Sequence, residues 1–259
     1  MTFMTETGLA GRNYGAVRRA RILVYGVVSY MIGVASLVYL IAFLGNIFVT
    51  PSIDRAATAP VGLAIAIDVA LVTLFGLQHS IMARPAFKRV WTRIVPKAAE
   101  RSTYLLATAL ALVVLFWQWR AIPAEVWSIE SAVAANAMLG LYLFGWALVL
   151  LATFQINHFD LFGLRQVWLA FRGHAYRNVT FREPWLYRVC RHPMQLGVLI
   201  ALWAAPTMSV GRLVFAIAMT VYIFIGLWFE ERDLIAAFGE RYTAYMKRVP
   251  KLIPFVRIG

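Results

Sequence analysis

Apolar residues come in long unbroken runs along this chain, not in the period-two alternation of strands or the one-sided stripe of a soluble helix. Four of the runs cover residues 22–48, 61–82, 103–119 and 132–154. Each approaches the roughly 20 residues that carry a helix across about 30 Å of hydrocarbon. A shorter run, 194–206, is followed by a polar break at 207–211 and a longer run at 213–229. These two read as a helical hairpin whose first arm rises only about 20 Å, which leaves a full crossing open. Residues 159–171 alternate apolar and polar positions and predict a segment along the membrane surface. The pattern therefore predicts an all-α, polytopic membrane helix bundle. It has about four full transmembrane helices, a C-terminal helical hairpin and a cytosolic helical tail from residue 230 onward. With no repeat or linker, residues 1–259 read as one domain, with the substrate side at 22–154 and the C-terminal part at 155–259.

Composition agrees: 61% of residues are hydrophobic and 14% charged, against about 25% charged in ordinary soluble domains. The net charge of +13 would suit a nucleic-acid partner, but its placement argues against one. The basic residues sit in short loops between apolar runs, where lipid-facing topology signals belong. With the N-terminus placed in the cytosol, Arg12, Arg18, Arg19 and Arg21, the loop after the second run, residues 155–193 and the tail hold 22 of the 25 Lys and Arg on one side. Arg55, Arg120 and Arg212 fall opposite. The expectation is an integral protein of a bacterial inner membrane with both termini cytosolic. Arg165, Arg172 and Arg177 then serve as topology charges near lipid headgroups. The first run is too long for a signal-peptide core and reads as a retained anchor. The single cysteine, Cys190, allows no internal disulfide and reads as a packing residue.

Ionisable groups near a bilayer are costly and usually functional, and here they collect at helix ends. The second helix ends in Gln78-His79-Ser80 and the fourth in Asn157-His158-Phe159-Asp160. The hairpin starts at Arg191-His192-Pro193 and returns to Glu230-Glu231. The topology brings all four ends to one membrane depth. Tyr222, Gly226 and Glu230 share a helical face, as do Asp68, Val72, Phe75 and His79. Asp68, read as near mid-membrane, is expected to point inward and find a structural hydrogen bond.

The C-terminal third reads Tyr187-Arg188-Val189-Cys190-Arg191-His192-Pro193, then Gly197, Glu230-Glu231, Phe238-Gly239, Tyr242, Tyr245, Val249-Pro250 and Ile253-Pro254. Over residues 185–255 this resembles the membrane methyltransferases related to isoprenylcysteine carboxyl methyltransferase and phospholipid methyltransferases. Gln78 to Pro85 and Asn157 to Arg165 extend the likeness over most of the chain. They make it similar to the thiol-methylating and NnrU-like members of that group. The resemblance implies S-adenosylmethionine (SAM) as cofactor, enclosed by Tyr187, Arg191, His192, Pro193, Gly197, Glu230 and Glu231. Chemically, Arg191 can fork onto a carboxylate, Glu230 or Glu231 can take the ammonium, His192 can hydrogen-bond, and Gly197 permits close backbone approach. Gln195 departs from the group, many of whose members carry Tyr there, which weakens any transfer of lipid or prenyl specificity. No G-x-G-x-x-G unit or P-loop is present.

The implied reaction is in-line methyl transfer from SAM to a small thiol, methanethiol to dimethyl sulfide. The thiolate is the reactive form, so a base helps. His79 and His158 are both candidates, with Asp160 to orient an imidazole and Asn157 to position substrate. Spacing fixes no metal geometry among His79, His158, Asp160 and Glu230, so no metal is expected. Membrane lipid and the thiol are the expected partners, without nucleic acid or an obligatory protein. The rivals are methylation of a lipid, an isoprenoid or a larger thiol, and a non-enzymatic NnrU-like membrane protein.

Overall fold

The computed structural model describes residues 14–177, 181–254 and 256; Arg12 lies outside them. Among the described residues five helices are long and apolar enough to cross a membrane: α1 (Ala16–Gly45), α2 (Val61–Ala83), α4 (Glu100–Gln118, entered through a 3₁₀ turn at Lys97–Ala99), α5 (Ala132–Ile156) and α9 (Val210–Phe238). Short helices α3 (Pro85–Trp91), α6 (His158–Leu161), α7 (Leu164–Phe171), α8 (Pro193–Trp203) and α10 (Glu240–Arg248) complete the helical set. The chain is an integral membrane protein built as an all-α bundle. α8, with 11 residues, rises only about 16 Å and stops short of a full crossing.

Packing without a hydrophobic driving force in lipid depends on small residues that let backbones approach. On α1 the buried stripe is Gly26, Ser29, Gly33 and Ser36. A Cβ on Gly33 would meet Leu105 of α4 at 2.6 Å, and one on Gly26 would meet Val167 of α7 at 2.5 Å. α7 is thus seated on α1 through fully buried Val167, while Trp168 stays exposed. The expected surface segment exists, but one of its faces is part of the bundle. Large apolar side chains such as Val24, Leu74, Val113, Phe144 and Phe224 point outward, as lipid-facing positions should.

One end of the bundle is closed by a polar and aromatic lock. Trp119 Nε1 donates to the Ile53 carbonyl at 3.0 Å, and buried Arg212 donates to the Leu44 carbonyl at 2.6 Å. Ser209 caps α9 by accepting from the Arg212 amide at 3.0 Å and also bonds Asp54. Two strands, β1 (Glu125–Ser128) and β2 (Thr207–Ser209), pair antiparallel across this end with an irregularity between Glu125 and Trp127. The hydrophobic pattern predicts loop in both segments. Asp68 is fully buried and accepts from the Arg120 amide at 2.9 Å. Its partner stands just past the end of α4, and this is the structural hydrogen bond expected of an inward-pointing Asp68.

Candidate active site

At the opposite end, the start of α8 and the end of α9 are in direct contact. Arg191 donates from Nε (2.9 Å) and Nη2 (2.8 Å) to Glu231 Oε1, and His192 Nε2 lies 3.1 Å from the same oxygen. Lys251 reaches Glu231 Oε2 at 3.1 Å. Arg191 Nη1 donates to the Met246 and Val249 carbonyls at 2.9 and 2.7 Å. The backbone joins in, with the Arg191 amide on the Pro250 carbonyl at 2.9 Å. This clamp ties α8, α9 and the tail together. It alters two expectations: Arg191 has its forked donors on protein acceptors, not directed at a ligand carboxylate, and Glu231 has both oxygens engaged.

Glu230 is placed differently. Its side chain is about twice as exposed as that of Glu231, 21% against 10%. Gln195 Nε2 donates to Glu230 Oε2 at 3.2 Å, and His192 Nδ1 lies 3.7 Å from that oxygen. The Tyr187 hydroxyl lies near enough for Glu230 to act on it electrostatically. That hydroxyl is buried and has no hydrogen-bond partner among the described residues. Burial, with the Glu230 carboxylate nearby, pushes its pKa well up, so it stands as a neutral donor. An unpaired buried donor costs free energy, and here it lies within electrostatic range of a carboxylate that could face a cationic ligand. The two features suit the ammonium-bearing, polar end of SAM.

Pro193 is the first residue of α8 and Gly197 lies one turn on. Pro193 supplies the helix start that its fixed φ favours. Gly197 approaches backbone, but that of α5: a Cβ there would sit 2.5 Å from the Gly145 carbonyl, and one on Gly145 2.6 Å from the Gly197 carbonyl. The close approach expected toward a cofactor is therefore a helix–helix contact. Cys190 is buried and its thiol donates to the Leu252 carbonyl at 2.9 Å. Burial pushes that thiol up to about 11, which leaves it un-ionised and in the packing role expected.

His79 belongs to the same end. It stacks on Phe75 (5.5 Å between centroids) and lies against Tyr104 of α4 (5.0 Å). Nδ1 is 3.3 Å from Thr108 Oγ1. Gly76 makes room for Tyr222 of α9, whose ring a Cβ would meet at 2.8 Å. Ser80 donates to the Tyr222 hydroxyl at 3.4 Å, and Arg84 pairs with Asp233 at 2.9 Å. Glu230, two turns beyond Tyr222, is within electrostatic reach of His79. Tyr104, Thr108 and Tyr222 were not legible as site residues. The only advance signal was the shared face of Tyr222 and Glu230.

His158 and Asp160 build a second cluster, on the α1 side. His158 is buried, stacked on Phe154 at 4.3 Å and flanked by Phe162 at 4.7 Å. Both its nitrogens face hydroxyls, Nδ1 that of Thr153 at 2.9 Å and Nε2 that of Tyr30 at 3.0 Å. Burial lowers its pKa and keeps it neutral. Asp160 does not orient either imidazole. Its carboxylate takes Arg165 Nη1 at 2.8 Å and the Tyr176 hydroxyl at 3.1 Å. Asn157 is the cap between α5 and α6, at φ 145°, and its side chain accepts from the Asp160 amide at 3.1 Å. Among the described residues no group of three or more His, Cys, Asp or Glu side chains is placed to hold a metal ion.

The family model described as NnrU protein matches residues 69–256. A relative from Mycobacterium tuberculosis (strain ATCC 25618 / H37Rv), named Methanethiol S-methyltransferase, is 46% identical over 239 residues, 92% of this chain and 98% of its own. Methanethiol S-methyltransferase 2 of Bradyrhizobium diazoefficiens is 49% identical over 236 residues, 91% of each chain. Nurim of Rattus norvegicus is 30% identical over 193 residues, 70% of each. No solved structure matches the chain.

Proposed function

Because this chain belongs to the NnrU family, we propose that it is a SAM-dependent thiol S-methyltransferase that converts methanethiol to dimethyl sulfide. The observation that carries the reading is the likeness, over more than nine-tenths of both chains, to a relative named for that reaction. The geometry supports it. Glu230 and the unpartnered Tyr187 hydroxyl would hold the cationic and polar end of SAM, with His192 and Gln195 fixing Glu230. SAM supplies an electrophilic sulfonium methyl. Phe75, His79, Tyr104 and Tyr222 give the small apolar acceptor an aromatic wall beside Glu230, reached from the bilayer between α2, α4 and α9.

The chain's own contribution is alignment and proton handling. Holding thiol and methyl in line removes much of the entropic barrier of a bimolecular step. A free alkyl thiol with a pKa of roughly 8.5 or above is at most a few per cent thiolate at neutral pH, so an acceptor for its proton raises the rate. The sidedness of the Lys and Arg residues supports a site at the cytosolic face of a bacterial inner membrane, with both termini on that side.

Product analysis tests the substrate class. Purified full-length chain is given SAM with methanethiol, a longer alkyl thiol, an isoprenylated cysteine or a phospholipid in turn. Methylation of methanethiol with the highest kcat/KM supports the reading. Preference for the prenyl or lipid acceptor would replace it with the rival substrate class, and failure to bind SAM would end the enzymatic reading.

A further inference from the structure

Two imidazoles stand at this end of the bundle, and their hydrogens tell them apart. Thr108 Oγ1 lies 3.3 Å from His79 Nδ1 and 3.0 Å from the Tyr104 carbonyl one turn back in α4. A threonine hydroxyl has one hydrogen to donate. The carbonyl can only accept, so the hydrogen goes there, the usual back-bond of a helical threonine. Thr108 then offers His79 only lone pairs. The neutral His79 ring must carry its hydrogen on Nδ1 and its lone pair on Nε2. Among the described residues Nε2 has no hydrogen-bond partner.

The same reasoning disposes of His158. Thr153 gives its hydrogen to the Leu150 carbonyl at 2.7 Å, so His158 Nδ1 donates to Thr153 at 2.9 Å. Nε2 is left as the acceptor, and the Tyr30 hydroxyl, 3.0 Å away, fills it. Among the described residues one imidazole has an open lone pair; the other has none.

We infer that His79 Nε2 takes the thiol proton and that Thr108 is the positioning residue that holds His79 in the required tautomer. The role rests on the thiol methylation proposed above. In the step the S–H proton passes to Nε2 and a sulfur lone pair forms the new S–C bond. The methyl–sulfonium bond breaks with its electron pair going to the leaving sulfur, and the imidazolium then returns its proton to water. The titratable groups that act on His79 from neighbouring helices are Tyr104 on α4, in ring contact, and Glu230 on α9, within electrostatic range, while Tyr222 on α9 packs against Phe75. None of them duplicates the Thr108 contact.

Two readouts test this on the full-length chain in lipid nanodiscs. The chain has four histidines, so ¹⁵N-histidine NMR with single substitutions can assign them. Wild type should show His79 protonated at Nδ1 and bare at Nε2. Thr108→Val should lose that preference and Thr108→Ser should keep it. In turnover, Thr108→Val and His79→Ala should lower kcat about 10- to 100-fold or more at neutral pH, with little change in KM for SAM. The loss should shrink as pH rises toward the thiol's own pKa, where it ionises unaided. Thr108→Ser should recover to within about threefold. His158→Phe should show no loss of that pH-dependent kind. A protonated Nε2 in wild type, a Thr108→Val loss constant with pH, or failure of serine to rescue would overturn the inference. A wild-type chain with bare Nε2 that leaves methanethiol unmethylated would refute the reaction and uphold the tautomer.

Discussion

Arg191 and Glu231 grip each other across the start of α8 and the end of α9, with Nε and Nη2 at 2.9 and 2.8 Å from one carboxylate oxygen. The pair is buried, and the other Arg191 nitrogen carries the tail through the Met246 and Val249 carbonyls. Removing one member of a buried pair costs up to about 3–5 kcal/mol, and less here because Lys251 still reaches Glu231 at 3.1 Å. Arg191→Ala should therefore lower thermal stability in detergent and open the tail to proteolysis near residues 249–254. Arg191→Lys should recover only part of the loss, since an ammonium cannot serve a carboxylate and two carbonyls in a fixed plane.

The two glutamates should separate in function. Glu230→Gln removes the charge proposed to face SAM. Charge-assisted hydrogen bonds contribute about 1.5–3 kcal/mol, so KM for SAM should rise about 10- to 100-fold with a small change in melting temperature. Glu231→Gln should do the reverse, lowering the melting temperature more than SAM affinity. Paired titrations of SAM binding and thermal unfolding check the split.

Glycines on α8 and α9 differ as sharply. Gly197→Ala would force a methyl to 2.5 Å from the Gly145 carbonyl, an overpacking that costs about 1–3 kcal/mol. Nothing lies within 4 Å of a Cβ on Gly226, so Gly226→Ala should change stability by less than about 0.5 kcal/mol. Thermal unfolding of the two variants side by side measures the difference.

Stability should also depend on pH through Lys88. Its ammonium is buried against Glu100 at 3.5 Å, and burial, aided by nearby Arg101, lowers its pKa from 10.5 to about 8. A lowered amine pKa means that the unfolded chain binds more protons between those values. Stability should therefore rise as pH goes from about 8 to 10.5. Lys88→Met should flatten that part of the profile, as melting temperatures across the range would show.

The spans were legible because each is a local property: a run of apolar residues long enough for a bilayer. α2 and α5 start where the pattern placed them, at Val61 and Ala132. The β1–β2 pairing was not legible, since its partners Glu125 and Ser209 lie far apart in sequence and neither segment alternates cleanly. At the site, the Arg191-His192 turn and the glutamate pair carried a recognisable motif and do meet. Asp160 misled because it stands two residues from His158 along the chain, while its side chain turns toward Arg165 and Tyr176. Thr108 and Tyr104 look like ordinary residues of an apolar helix. Only the seating of α2 against α4 shows that they face His79.

The most direct test of a thiol methyltransferase with SAM held at Glu230 is transfer of a trideuterated methyl group. Purified wild-type chain given methanethiol and SAM labelled in its methyl group should release dimethyl sulfide heavier by the label, matched one to one by S-adenosylhomocysteine. The Glu230→Gln variant should fall behind at low SAM and approach wild type at high SAM. Unlabelled or absent dimethyl sulfide, or an unchanged dependence on SAM in the variant, would contradict it.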